Sequence, residues 1–173
     1  MKLKILTVAA GIAVLASCGP SYRVTDGSAV GINVPTGVRT TFTTAYPDAT
    51  DIAWATYDAT TVPIDMELTG WSDLDPSDYV AIFNMNGEKY YAYYDPSGNW
   101  IGTAYAITDY KSLPNGINTM ITSKYPDFTI TTVNRVMQKD RVAYEVQLKN
   151  GESKAKILVD ENGNIIKEKK VTK

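Results

Sequence analysis

The side chains that could do chemistry here are few, and their types exclude more than they permit. No histidine occurs among the 173 residues, and Cys18 is the one cysteine. Ser-His-Asp and Cys-His nucleophiles, His-bearing zinc sites and histidine pH switches are therefore ruled out together. No glycine-rich phosphate loop or dinucleotide fingerprint is present, so a nucleotide has no cradle. Asp160, Asn162 and Asn164 alternate like the first ligands of a calcium loop. The sixth position of that loop would be Ile165 instead of Gly, and its twelfth is not Glu, so a hairpin turn is expected. Asp73, Asp75 and Asp78 could hold a cation loosely, but Pro76 and Ser77 beside them equally suit a turn or a helix start. The expectation is a protein with no catalytic residue, no metal and no cofactor. What remains is contact chemistry: the aromatic run from Tyr79 to Tyr94, with Phe83, Met85 and Tyr90 inside it. Large, stiff, amphipathic rings of this kind suit recognition.

Those residues must be positioned by elements, and an internal repeat shows what the elements are. Asn33 to Asp48 recurs 79 residues later as Ser112 to Asp127, with Pro35, Gly37, Thr40, Tyr46, Pro47 and Asp48 falling on Pro114, Gly116, Thr119, Tyr125, Pro126 and Asp127. Each copy reads as a helix. Asn33 and Ser112 are the expected caps, and Pro47 and Pro126 stop the helices. Val38, Phe42, Ala45 and Tyr46 form one apolar face, and Ile117, Met120, Ile121 and Tyr125 the other. Strands are expected at about 51–57 and 129–137. Arg141 to Lys149 alternates cleanly, and Asn150-Gly151 is a strong hairpin signal. A turn there pairs Val146 with Ala155, Tyr144 with Ile157 and Val142 with Val159, all apolar. Asp160 to Asn164 is another turn, and Ile165 to Lys169 a last strand.

The first half carries the same turns at smaller offsets. Asn86-Gly87 lies 64 residues before Asn150-Gly151, and Asp95 to Asn99 lies 65 before Asp160 to Asn164. About 14 extra residues therefore sit in the first half, within an acidic insertion at about 58–78 that contains Trp71. A connection of that length is either functional or folds back as its own small hairpin. The even offset of 64 carries side-chain parity across. The core positions Tyr144, Val146, Ala155 and Ile157 then map to Val80, Ile82, Tyr91 and Tyr93. That leaves Tyr79, Phe83, Met85, Tyr90 and Tyr94 on the opposite, open face, with Phe83 paired to Tyr90 and Tyr79 to Tyr94. With Trp71 they form the expected partner-binding surface. The competing expectation is that the insertion itself covers this face.

The N-terminus gives an address. Lys2 and Lys4 precede an apolar run from Ile5 to Leu15 that is too short to span a bilayer. Leu15-Ala16-Ser17-Cys18 resembles the lipobox of bacterial lipoproteins, in which cleavage precedes an acylated cysteine. The expectation is a signal peptide over 1–17, a lipidated Cys18 opening a flexible tether over 18–32, and a folded part over 33–173. Several acyl chains on one residue anchor stably. Gly19 after the cysteine, by resemblance to sorting patterns, points to the periplasmic side of the outer membrane. Of 17 Lys and Arg, two are Lys2 and Lys4, against 19 Asp and Glu. A mildly acidic chain lacks the basic footprint nucleic acid needs.

The YPD-terminated helices, Trp54 near the first strand, NGEKYYAYYDPSGNW and NGESKAKILVDENGN together resemble the PepSY-like, β-lactamase-inhibitor-protein-like domains of bacterial envelope proteins, over residues 33–170. The resemblance implies an α+β fold of two tandem helix-plus-four-strand units, 33–111 and 112–173. These would form one curved antiparallel sheet with the helices on one face. The other face, which grips a protein in the inhibitor, would be open. The expected function is a non-catalytic, membrane-anchored periplasmic module that binds an envelope protein or peptide. The alternative is a small-ligand or cation carrier, with the 58–78 insertion closing a pocket.

Overall fold

A computed structural model describes residues 32–60, 63–71, 74–139 and 141–171, the side chains of Met66, Lys170 and Val171 excepted. Cys18, the leader and most of the tether lie outside these residues, as does Asp73. In chain order the elements are α1 (Thr36–Ala45), β1 (Thr50–Thr56), α2 (Met66–Thr69), β2 (Tyr79–Met85), β3 (Glu88–Tyr94) and β4 (Trp100–Ala106). A 3-10 turn (Tyr110–Ser112) leads into α3 (Asn115–Lys124), then β5 (Thr129–Gln138), β6 (Arg141–Asn150), β7 (Ser153–Val159) and β8 (Ile165–Val171). The class is α+β as expected. All eight strands form one open antiparallel sheet in the order β1 to β8, each pairing with its neighbour in sequence.

Helices α1 and α3 begin in the same way. Pro35 and Pro114 are the N-caps, and no side chain caps either helix. The expected caps are displaced: Asn33 lies two residues ahead of Pro35, and the Ser112 hydroxyl instead donates to Asp109 O at 2.6 Å. Proline suits this place because a helix start has no use for its missing N–H. The repeated glycines set how the helices dock. A Cβ on Gly116 would lie 2.3 Å from Asn162 O, and Gly163, at φ +88°, faces Gly116 just as closely. Gly98, at φ +90°, approaches Gly37 in the same way, with a Cβ there 3.2 Å from the Gly37 carbonyl carbon. Each helix N-terminus therefore rests against a glycine turn, which only residues without a Cβ allow at this range.

Both long helices cover the same side of the sheet. Val38 and Phe42 of α1 are buried against Ala81, Phe83, Tyr90, Ala92 and Tyr94. Ile117, Met120, Ile121 and Tyr125 pack against Val133, Tyr144, Val146, Leu148 and Ile157. The aromatic strand pair is thus helix-covered, and the expected facing is overturned. The cause is one residue in a turn. In the first hairpin Met85 pairs with Glu88, so Asn86-Gly87 is the turn, at φ +54° and +80°. In the second, Asn150 pairs with Ser153 and Tyr144 with Val159, so the turn is Gly151-Glu152. Asn150 is still a strand residue. The matching offset is therefore 65, an odd number, and odd offsets exchange the faces.

The insertion lies on the other side. It forms the single turn α2 instead of a hairpin, and Ile64, Leu68 and Trp71 are buried there against Val80, Tyr93, Ala104, Val136, Ala143 and Leu158. Asp65 caps α2, its Oδ1 accepting from Leu68 N–H at 3.0 Å. Lys156 and Lys169 reach the same carboxylate at 3.2 and 3.1 Å. Further along, Asn134 donates to Pro63 O at 3.0 Å, Arg141 to Thr69 O at 2.8 Å and Lys167 to Glu67 O at 2.7 Å.

Candidate functional site

One row of side chains crosses the helix side of the sheet. Cross-strand pairing places Phe83 beside Tyr90, Tyr90 beside Tyr105, Tyr105 beside Arg135 and Arg135 beside Tyr144. Phe83 and Tyr90 stack with centroids 5.3 Å apart, and Tyr90 and Tyr105 with centroids 4.4 Å apart. Helix α1 covers the Phe83 end, and α3 covers the Tyr144 end. Between their footprints Tyr105 of β4 and Arg135 and Met137 of β5 are only partly buried, and a groove of about 390 Å³ opens there. Tyr90, Tyr105, Met85 and Met137 line it, with Tyr46 and Trp100 at one side and Arg135, Lys139 and Arg141 contributing the charge.

The floor is held by a small polar network. Thr103, fully buried, shares a hydrogen bond with the Tyr46 hydroxyl at 2.6 Å and accepts one from Trp100 Nε1 at 2.9 Å. Burial raises the pKa of Tyr46, a rise the Thr103 bond partly offsets. Burial and the neighbouring Tyr105 raise that of Tyr90. These phenols therefore stay neutral and lend no negative charge to the groove. The Arg135 guanidinium lies 6.0 Å from the Tyr105 ring centroid and donates to Met137 Sδ at 3.2 Å.

The expected surface residues divide four ways. Phe83 and Tyr94 are sealed beneath α1, each no more than 1% exposed. Tyr79 is half-buried and donates to Asn33 O at 3.5 Å. Tyr90 and Met85 reach the groove. Trp71 is on the opposite face, 4% exposed, edge-on to Tyr93 at 5.6 Å. It sits so close that a Cβ on Gly102 would lie 2.8 Å from its ring. The apolar anchors of the insertion therefore pack directly on the sheet, while its Asp75, Ser77 and Asp78 line an open cavity of about 430 Å³ with Asp95, Asn99 and Lys139. Sequence reasoning missed Tyr105, Arg135 and Met137. The available signal was the alternation Val133, Arg135, Met137, which puts a cation in the middle of an otherwise apolar, helix-facing set.

The acidic clusters are turns. Asp160 accepts from the Asn162 and Asn164 N–H groups, both at 2.9 Å, and from Asn164 Nδ2 at 2.8 Å. Asp95 is bound to Asn99 in the same manner. Asp75 accepts from Ser77, and Asp78, buried, accepts from Asp75 N–H at 2.8 Å. Among the described residues no group of three or more His, Cys, Asp or Glu could hold a metal ion. Nor, among them, is any helix long and apolar enough to cross a membrane.

Residues 77–167, more than half the chain, match a family model described as "Putative beta-lactamase-inhibitor-like, PepSY-like". The chain belongs to the PepSY-like family. Solved structures show the same fold at low identity. A BLIP-like protein of Bacteroides fragilis is 20% identical, with TM-score 0.65, covering 82% of this PepSY-like chain and 89% of its own. A DUF2874 family protein of Bacteroides ovatus is 19% identical, with TM-score 0.65, covering 81% and 89%. A Bacteroides eggerthii protein described as "putative periplasmic" is 19% identical, with TM-score 0.63, covering 82% and 91%. No curated protein matches this PepSY-like chain.

Proposed function

We propose that this PepSY-like chain is a non-catalytic binding module of the cell envelope that recognises a protein or peptide through the groove beside α1. The observation that carries the reading is the stacked Tyr90–Tyr105 pair, in which half-buried Tyr105 faces the groove against Tyr90 at the edge of α1, with two methionines in the lining. Aromatic anchors supply contact area at low entropic cost, and methionine adapts to irregular partners. The family description and the inhibitor-like fold are compatible with a gripping role, which remains an analogy at the level of fold. The two halves are read as tandem helix-plus-four-strand units, on the strength of the matching proline caps and glycine contacts. The envelope address rests on the Lys2–Leu15 leader and on Cys18 as a lipid anchor, with the outer membrane as destination.

Panning a random hexapeptide display library on the full-length chain tests this. Enriched peptides are expected to bind wild type and to lose about tenfold or more in affinity with Tyr105→Ala. Lys89→Ala, on the opposite face, should leave binding unchanged. Enrichment that ignores Tyr105→Ala, or no enrichment at all, would sink the proposal.

A further inference from the structure

The charge in the groove is one-sided. Among the described residues its lining contributes Arg135, Lys139 and Arg141 and no carboxylate. Arg141 is already engaged with Thr69 O and Gln138. Arg135 differs, because it stands at the centre of the aromatic row, on the helix side of the sheet, half-buried between the two helix footprints. Its cross-strand neighbours are Tyr105 and Tyr144. Among the described residues the one carboxylate that an ion pair assigns to it is Glu161 at 3.6 Å, on a turn and 55% exposed. A solvated pair at that distance contributes little and is easily exchanged. A partly buried guanidinium that meets the Tyr144 and Tyr105 hydroxyls thus has, among the described residues, only this exposed carboxylate as its counter-charge. Its planar fork matches a carboxylate in bidentate fashion.

We infer that the groove takes an acidic segment of a partner polypeptide, with a carboxylate seated on Arg135 and the adjoining apolar side chain lying on the Tyr90–Tyr105 stack between Met85 and Met137. The inference rests on the groove reading above and adds the ligand class. Lys139, exposed at the rim, draws the acidic segment in over a longer range. Glu161 competes from within the chain and is displaced when the segment docks.

The experiment pans the same random hexapeptide library in parallel on full-length wild type, Arg135→Gln, Glu161→Gln and Tyr105→Ala. Circular dichroism is recorded for each variant. Wild type is expected to enrich Asp and Glu next to an aromatic or aliphatic residue. For the best wild-type peptide, replacing its acid by the amide should cost about tenfold in affinity, the weight of one charge-assisted hydrogen-bonded pair. Arg135→Gln should abolish that difference between acid and amide. Glu161→Gln should tighten the acidic peptide about two- to threefold, an effect no merely structural role for Glu161 produces. If Arg135→Gln misfolds, Glu161→Gln and the salt dependence of wild-type binding decide. Peptides that depend on Tyr105 but carry no acid, and ignore Arg135 and Glu161, would overturn the acidic ligand and leave the groove reading standing. A library with no Tyr105-dependent enrichment would overturn both.

Discussion

The two faces of the sheet are both covered, but by different physics. On the helix side, α1 and α3 are bound mainly by apolar packing, Phe42 lying 5.0 Å from Phe83 and 5.3 Å from Trp54 between ring centroids. Between their footprints Tyr105, Arg135 and Met137 stay partly exposed, with Arg135 held only by the exposed Glu161 at 3.6 Å among carboxylates of the described residues. On the other side, α2 pairs a few apolar anchors with charge. Asp65 meets Lys156 and Lys169, and Glu67 meets Lys169. The difference shows where the chain has settled its own electrostatics. Where the lysines of the sheet are matched by acids from the insertion, the face is closed by the protein itself. Where the cation meets only an exposed carboxylate, the face keeps an open groove.

The sharpest way to break this comparison is to remove the apolar cover. Phe42→Ala should destabilise the fold by about 3–5 kcal/mol, since it deletes a ring that is 1% exposed and contacts four other rings. Urea unfolding should show a lower midpoint with an unchanged slope. A loss under about 1 kcal/mol would mean that α1 is not what holds the aromatic row.

Leu68→Ala on the insertion should cost less, about 2 kcal/mol, the low end for a buried leucine, because a single helical turn can settle into the space. The protein should stay folded while limited proteolysis within 58–78 accelerates. Equal losses for Leu68→Ala and Phe42→Ala would erase the distinction between a core and a strap.

The sequence carried the local elements well and the facing badly. Tyr46-Pro47 and Tyr125-Pro126 mark both helix ends, because proline cannot continue a helix without losing a hydrogen bond. The pairings of Phe83 with Tyr90 and of Tyr79 with Tyr94 follow from the positive-φ turn at Asn86-Gly87. The same dipeptide at Asn150-Gly151 does not occupy the turn: glycine alone enters it, with φ +56°, and asparagine closes the strand. A one-residue shift of this kind is invisible in composition, yet it moves every side chain to the other face. Methionine, tyrosine and phenylalanine suit an exposed patch and a buried one alike, so nothing in the aromatic run itself could correct the error. The seat of the insertion was also illegible. Four helical residues carry no periodicity, and their position is fixed by Lys156 and Lys169, about ninety and one hundred residues away. The groove was half legible: Met85 and Tyr90 were singled out, while Arg135 and Tyr105 came from strands read only for alternation.

Asp65→Asn tests the ionic half of the strap. Burial would raise the Asp65 pKa, but hydrogen bonds from Leu68 N–H, Lys169 and Lys156 outweigh it and hold the carboxyl below its ordinary value. A depressed folded pKa gives stability that is present above the unfolded value of about 3.9 and is lost as pH falls through the folded one. The variant should therefore be about 1 kcal/mol less stable at neutral pH, and indistinguishable from wild type in strong acid. A deficit that persists undiminished at pH 2 would show that the charge on Asp65 contributes nothing.

Glu145→Gln should give the smallest effect and the opposite sign. Glu145 is fully buried beneath the insertion, accepting from Asp65 N–H at 2.6 Å and from Gln147 Nε2 at 3.2 Å. Burial raises its pKa, and those two hydrogen bonds and the charge of Lys156 only partly restore it. A raised folded pKa contributes stability that is complete below the unfolded value of about 4.3 and declines as pH rises through the folded one, because the ionised form must then be held out of water. Glutamine keeps an oxygen for the Asp65 N–H and carries no charge. The variant should match wild type near pH 4 and exceed it by up to about 1 kcal/mol at pH 7. Urea midpoints at the two pH values make the check. A variant less stable than wild type at pH 7 would mean that Lys156 more than repays the burial of this carboxylate. The insertion face would then be held together by its buried charge instead of in spite of it.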